Sequence, residues 1–212
     1  MGAFGLNGGG CNGKHDSHHI IEIVNTCKLV LLFCLVATLA SLARAGVTEQ
    51  LSHSEYVAHA EPNQSIFIAL RRDSPINRDG RVYLGITQWQ VTWDIKLQER
   101  TNGTCRISAN DTQLKINIVL PRLIAAGPDQ DKDFGRFLSA LDAHEQGHVD
   151  IARRSATEID RAILGLPDME NCKVLEDAAN DAGRRGLEYH REKDRLYDKW
   201  TEHGKSQGTW LE

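Results

Sequence analysis

The stretch Ala143-His144-Glu145-Gln146-Gly147-His148-Val149-Asp150 decides how the rest of the chain reads. It contains His-Glu-x-x-His. On a helix the two histidines fall at i and i+4, on one face and about 6 Å apart along the axis. That spacing lets both imidazoles reach one Zn2+ ion, with Glu145 beside them to take a proton from a water. The flanking residues predict the helix: Phe134, Phe137, Leu138, Leu141, His144, His148, Ile151 and Ile159 approximate one stripe. The histidines therefore point where the core-facing side chains point, and two histidines and a glutamate buried together need partners or a metal. A glycine inside a helix costs about 1 kcal/mol relative to Ala. Gly147 is therefore expected to admit a close neighbour, a second stretch of backbone near the metal.

Downstream of the motif, the helix is expected to run from Asp131 to Leu164, with Asp131 and Asp133 at its positive end. Gly165-Leu166-Pro167 breaks it. Asp168 is the expected N-cap of a second helix that reaches about Trp200 and is stopped by Gly204. The charged run from Gly183 to Lys199 reads as a solvated face. A zinc hydrolase needs a third protein ligand and one open position. The candidates are Glu158, Glu188, His190, Asp198 and His203. A hairpin folded near Leu166 places Glu188 or His190 opposite the histidine pair.

Upstream, the period changes to two. Ser54 to Ala60 suits a first strand, Asn63 to Arg72 a short helix, and Asp73 to Arg81 a loop. Trp89, Val91, Trp93, Ile95 and Leu97 alternate with polar residues, as in a half-buried strand. The two tryptophans read as core, with ligand stacking the lesser alternative. Asn102-Gly103 signals a turn. Leu114, Ile116, Ile118 and Leu120 face one side of a return strand closed by Pro121. The expected fold is α+β: a small antiparallel sheet packed on a long-helix hairpin that carries the motif. An edge strand beside the motif helix would suit an extended substrate added as a further strand.

The first 45 residues are expected to stand apart from this domain. A Gly-rich leader precedes Lys28, the apolar run Leu29 to Ala43, and Ala43-Arg44-Ala45 before Gly46. Positive flank, short apolar core and small-residue site read as a secretory signal cleaved at Ala45/Gly46. The run of 15 residues is short for a membrane span, which needs about 20. The leader is long, so the expected start lies nearer Val24. The expected mature domain is 46–212, periplasmic or secreted, touching the membrane only through the signal segment before cleavage. Cys105 and Cys172 are the only cysteines left after cleavage, and in an exported chain they are expected to pair. A net charge of -4 and the lack of a dense basic stretch argue against a nucleic-acid partner. A monomer is expected.

The motif His144-Glu-Gln-Gly-His148, together with the tail Tyr197-Asp198-Lys-Trp-Thr201-Glu-His203-Gly204-Lys-Ser-Gln207-Gly, resembles a family of bacterial exported proteins described as predicted secreted zinc-dependent proteases. The likeness covers most of the mature chain. It implies that His203 belongs to the site. On a straight helix His203 would lie roughly 20 Å beyond the metal, so the resemblance and the hairpin geometry disagree. The expected mechanism is peptide hydrolysis by a secreted metallopeptidase. His144, His148 and His203 hold Zn2+, Glu145 is the general base, and Tyr197 donates to the developing oxyanion. Asp198 or Asp150 orients a ligand imidazole from behind. The alternatives are a zinc amidase of the cell envelope and a non-catalytic metal-binding protein.

Overall fold

The computed structural model describes residues 46–78 and 80–209; the expected leader lies outside the described residues. The chain forms β1 (Thr48–His59), α1 (Ile66–Asp73), a short hairpin of β2 (Asn77–Arg78) and β3 (Arg81–Val82), then β4 (Ile86–Glu99) and β5 (Cys105–Ile124). Two long helices follow, α2 (Pro128–Leu164) and α3 (Cys172–Thr201), and a 3-10 turn at Lys205–Gln207. The class is α+β, a small sheet followed by a helix pair.

The sheet is mixed rather than antiparallel, in the order β1-β5-β4. β4 and β5 form an antiparallel hairpin, with Gly103 at φ 84 in the expected turn. β1 instead runs parallel to β5, Thr48 opposite Gln113 and His59 opposite Ile124. Alternation encodes which face a residue takes, not the direction of its neighbour, so the parallel pairing could not be read from the pattern. Pro121 does not close β5. It lies past Val119, the last residue that β4 pairs, where a missing N–H interrupts no β4–β5 bond. The expected loop at 73–81 contains the β2–β3 hairpin.

One face of the sheet meets the helices. Val91, Leu114, Ile116 and Ile118 pack on Val149, Ala152, Ala156 and Ile159 of α2, with Trp89 and Trp93 at the margin. The tryptophans belong to this packing. Trp93 lies where a Cβ on Gly183 of α3 would come within 2.4 Å of its ring, and its Nε1 donates to Asn180 at 2.9 Å. A buried polar contact ties the layers together: Asn110 and Thr112 of β5 both donate to Asp160 of α2.

α2 begins three residues before Asp131, with Pro128 in its first turn, a position where the absent N–H needs no partner. Asp129 and Asp131 face its positive end. The N-cap of α3 is Asn171, whose side chain accepts from Val174 N, rather than Asp168. Asp168 pairs with Arg100 at 2.7 Å. The link between the helices is not a tight turn. Met169 exchanges two backbone hydrogen bonds with Cys105, and Cys172 is disulfide-bonded to the same Cys105. The connection thus reaches back to the start of β5 before α3 begins. No helix among the described residues is long and apolar enough to cross a membrane.

Candidate metal centre

The detour at Cys105 sets which residues of α3 face the motif. Asp194 and Asp198 stand opposite His148 and His144, and His190 lies well short of them, against Glu158 at 2.9 Å. The helix pair is therefore shifted by nearly three turns from a hairpin folded at Leu166. Asp194 and Asp198 are themselves i and i+4 on α3, so a carboxylate pair on one helix meets an imidazole pair on the other.

Three atoms converge. The Nε2 atoms of His144 and His148 are 3.3 Å apart, and Asp198 Oδ1 is 3.2 Å from the first and 3.1 Å from the second. Both imidazoles are buried, and Asp198 is about one-third exposed. The Nδ1 atoms turn outward, His144 to Gln207 Oε1 at 2.9 Å and His148 to Asp194 Oδ1 at 2.8 Å. A carboxylate only accepts, so His148 Nδ1 carries a hydrogen to Asp194, and its Nε2, facing Asp198 Oδ1 and His144 Nε2, holds either a second hydrogen or, toward a cation, a lone pair. Burial alone would push the His148 imidazole down, but the Asp194 and Asp198 carboxylates outweigh it and lift it to about 10. Burial would raise Asp198, yet hydrogen bonds from the two imidazoles hold its carboxyl well below the usual range. Lone pairs facing each other at this distance require positive charge between them, either a proton or a cation.

The triangle fits a cation. Two imidazole nitrogens and a carboxylate oxygen are a ligand set that Zn2+ takes, and a tetrahedral ion with bonds of about 2.0–2.1 Å has ligand–ligand edges of roughly 3.3 Å. The observed edges are 3.1–3.3 Å, so the three atoms form one face of such a tetrahedron.

Glu145 lies next to the pair, on the side that faces the sheet. Its Oε2 accepts from Thr87 Oγ1 of β4 at 2.8 Å, and only 3% of the residue is exposed. Burial pushes its carboxyl up, against the lowering effect of the Thr87 hydrogen bond. A carboxyl raised in this way holds a proton more readily than an exposed one.

The remaining expected site residues fall as follows. His203 is not one of the converging ligands. Its Nδ1 is 3.5 Å from Asp198 Oδ1, its side chain is 45% exposed, and its ring meets Tyr83 edge-on. Asp198, expected behind the ligands and also a candidate for the third ligand, is one of the three converging groups. Asp150 points away, exposed, with Arg153 at 3.8 Å. The residue that backs His148 is Asp194, which the sequence reading passed over within a charged run. Its signal was the four-residue spacing to Asp198. Tyr197 stacks on His144 with rings 5.1 Å apart, and its hydroxyl donates to the His144 carbonyl at 3.2 Å, on the backbone side of the motif. Gly147 makes room for this side chain and not for backbone: a Cβ there would lie 2.1 Å from the Tyr197 oxygen. Thr87 of β4 carries no local signal of a role in the site, and Gln207 of the final turn carried one only as part of the tail motif, without a role.

A helix pair that sets two imidazoles and a carboxylate around one point, against a small mixed sheet, defines a candidate metal-binding α+β protein. The chain belongs to a family described as bacterial protein of unknown function (DUF922), whose model matches residues 53–204. No curated protein and no solved structure matches it.

Proposed function

We propose that the protein is a zinc-dependent peptidase of the cell envelope or its exterior. The observation that carries this reading is the triangle of His144, His148 and Asp198 atoms with a buried carboxylate, Glu145, beside it. Zn2+ is the ion these ligands suit, and when bound it would acidify a water and polarise a carbonyl. Glu145 takes the proton from the attacking water and passes it to the leaving nitrogen. Thr87 fixes Oε2 of Glu145 and so orients the other oxygen toward that work. His203, half-exposed on the flank of Asp198, takes the role of oxyanion donor that the sequence reading gave to Tyr197. Tyr197 keeps His144 in place by stacking.

An extended peptide is the substrate class that the sheet supports. β4 is an edge strand, and its residue Thr87 touches Glu145, so a chain added along β4 passes the site. The Cys105–Cys172 disulfide accords with an oxidising compartment. The test is Glu145→Gln. The variant should keep its Zn2+ and lose cleavage of an unstructured protein substrate by roughly 10²–10⁴-fold. Cleavage at the wild-type rate by this variant, or a wild-type chain that takes up Zn2+ and cuts no peptide or murein fragment, overturns the proposal.

A further inference from the structure

Past α3 the chain reverses through three consecutive left-handed residues, Glu202 at φ 51, His203 at φ 55 and Gly204 at φ 82. Left-handed backbone is disfavoured for non-glycine residues, so two of the three are strained and something holds them. Asp198 O accepts from His203 N at 2.7 Å, and Thr201 Oγ1 accepts from Gly204 N at 3.3 Å. The reversal brings Gly204 against His144, where a Cβ would lie 3.0 Å from the ring, and sets Gln207 on the outer nitrogen of that ring.

The Tyr197 hydroxyl has one hydrogen and two acceptors in reach, the His144 carbonyl at 3.2 Å and Gln207 Oε1 at 3.4 Å, and the shorter contact sets the direction of the bonds around Gln207. The His144 backbone carbonyl can only accept, so the Tyr197 hydroxyl, 3.2 Å away, donates to it. The Tyr197 oxygen then accepts from Gln207 Nε2 at 3.1 Å. With its NH2 group turned to Tyr197, the Gln207 amide presents Oε1, an acceptor, to His144 Nδ1 at 2.9 Å. Nδ1 then carries a hydrogen, so in the neutral ring the lone pair sits on Nε2, where Asp198 Oδ1 at 3.2 Å would otherwise accept a hydrogen. A helix carbonyl of fixed polarity is thus relayed through Tyr197 and Gln207 to set the tautomer of His144. His148 Nδ1 is held in the same way directly, by the Asp194 carboxylate.

We propose that Gln207, read through Tyr197, is a positioning residue that holds His144 in the Nδ1–H tautomer, so that the C-terminal turn is a working part of the metal centre. Its consequence for metal affinity rests on the zinc reading above; its consequence for the tautomer does not. In the full chain, Gln207→Met keeps the length and removes the acceptor, whereas Gln207→Glu keeps an acceptor and loses only the donor to Tyr197.

Zn2+ affinity measured against a competing chelator should fall roughly 10–100-fold in Gln207→Met, and only a few-fold in Gln207→Glu. Long-range 1H–15N correlation of the neutral, zinc-free His144 ring should show the Nδ1–H form in the wild type and a mixture of tautomers in Gln207→Met. Tyr197→Phe retains the stacked ring and removes the hydroxyl, and should give a mixture as well. Equal Zn2+ affinity in wild type and Gln207→Met overturns the proposal, as does an equal loss in Met and Glu variants or a tautomer unchanged in both Gln207→Met and Tyr197→Phe. A wild-type chain that binds no Zn2+ removes the proposed function, and the ring spectra then decide the role of Gln207 alone.

Discussion

The helix pair brings histidine and carboxylate together at two levels, and only one of them forms a metal-sized site. At the first, two imidazoles and Asp198 converge, each imidazole with its outer nitrogen anchored. At the second, about 15 Å along α2 at 1.5 Å per residue, His190 meets Glu158, and among the described residues no third ligating group joins them. Both histidines of the first level and His190 are equally buried, so burial does not separate the two. What differs is the number of lone pairs aimed at one point. The Glu158 side chain is 51% exposed, whereas those of Asp194 and Asp198 are 25% and 32% exposed between the helices.

The contrast breaks most visibly at the ligands. Asp198→Ala should lower Zn2+ affinity at least 10–100-fold, and His190→Ala should leave it within a few-fold while the cavity it leaves destabilises the fold. His203→Ala should keep Zn2+ and lower turnover roughly 10²-fold. Chelator competition alongside steady-state rates reads both. Loss of Zn2+ in His203→Ala with none in Asp198→Ala would return His203 to the ligand set.

Next in size is the link that sets the helix offset. The Cys105–Cys172 bond closes a loop of 67 residues, and its reduction should cost about 4 kcal/mol in the chain-entropy model. Denaturant melts with and without reductant measure this. If the disulfide and the Met169 pairing set the offset, the reduced or Cys172→Ser chain should also bind Zn2+ more weakly. Unchanged affinity would mean that helix packing alone fixes which carboxylates face the histidines.

The smallest effect lies in the cluster of Tyr56, Leu70 and Phe137, outside the triangle, and serves as its control. The Tyr56 phenol is buried, which pushes it up to about 12. Its unfolded value is about 10, so the folded state is favoured in full below pH 10 and loses that contribution as pH rises toward 12. Stability should fall by up to about 3 kcal/mol across that window, and Tyr56→Phe should flatten the slope. Zn2+ affinity near neutral pH should not change in that variant.

Much of the site was legible because its parts are local. Histidines four residues apart on a strongly patterned helix must share a face, and a glutamate next to one of them must lie close by. Gly147 signalled a close approach, though a phenol and not a backbone fills the space. Glu188 and His190 were favoured by geometry that took the Gly165–Asn171 link for a tight turn. The backbone pairing of Met169 with Cys105 is a long-range contact with no local signature, and it moved Asp194 and Asp198 into place.

The sequence by itself determined the helix that bears the motif, the two-residue period of β4 and β5, the cysteine pair and the identity of the imidazoles, because each follows from spacing along the chain. Only the tertiary structure decided the parallel placement of β1, the choice of Asp198 over His203 at the triangle, and the roles of Thr87, Asp194 and Gln207. Those depend on where separate segments meet. The meeting points are fixed by a disulfide, a backbone pairing and a left-handed reversal whose consequences lie many residues away from the residues that cause them.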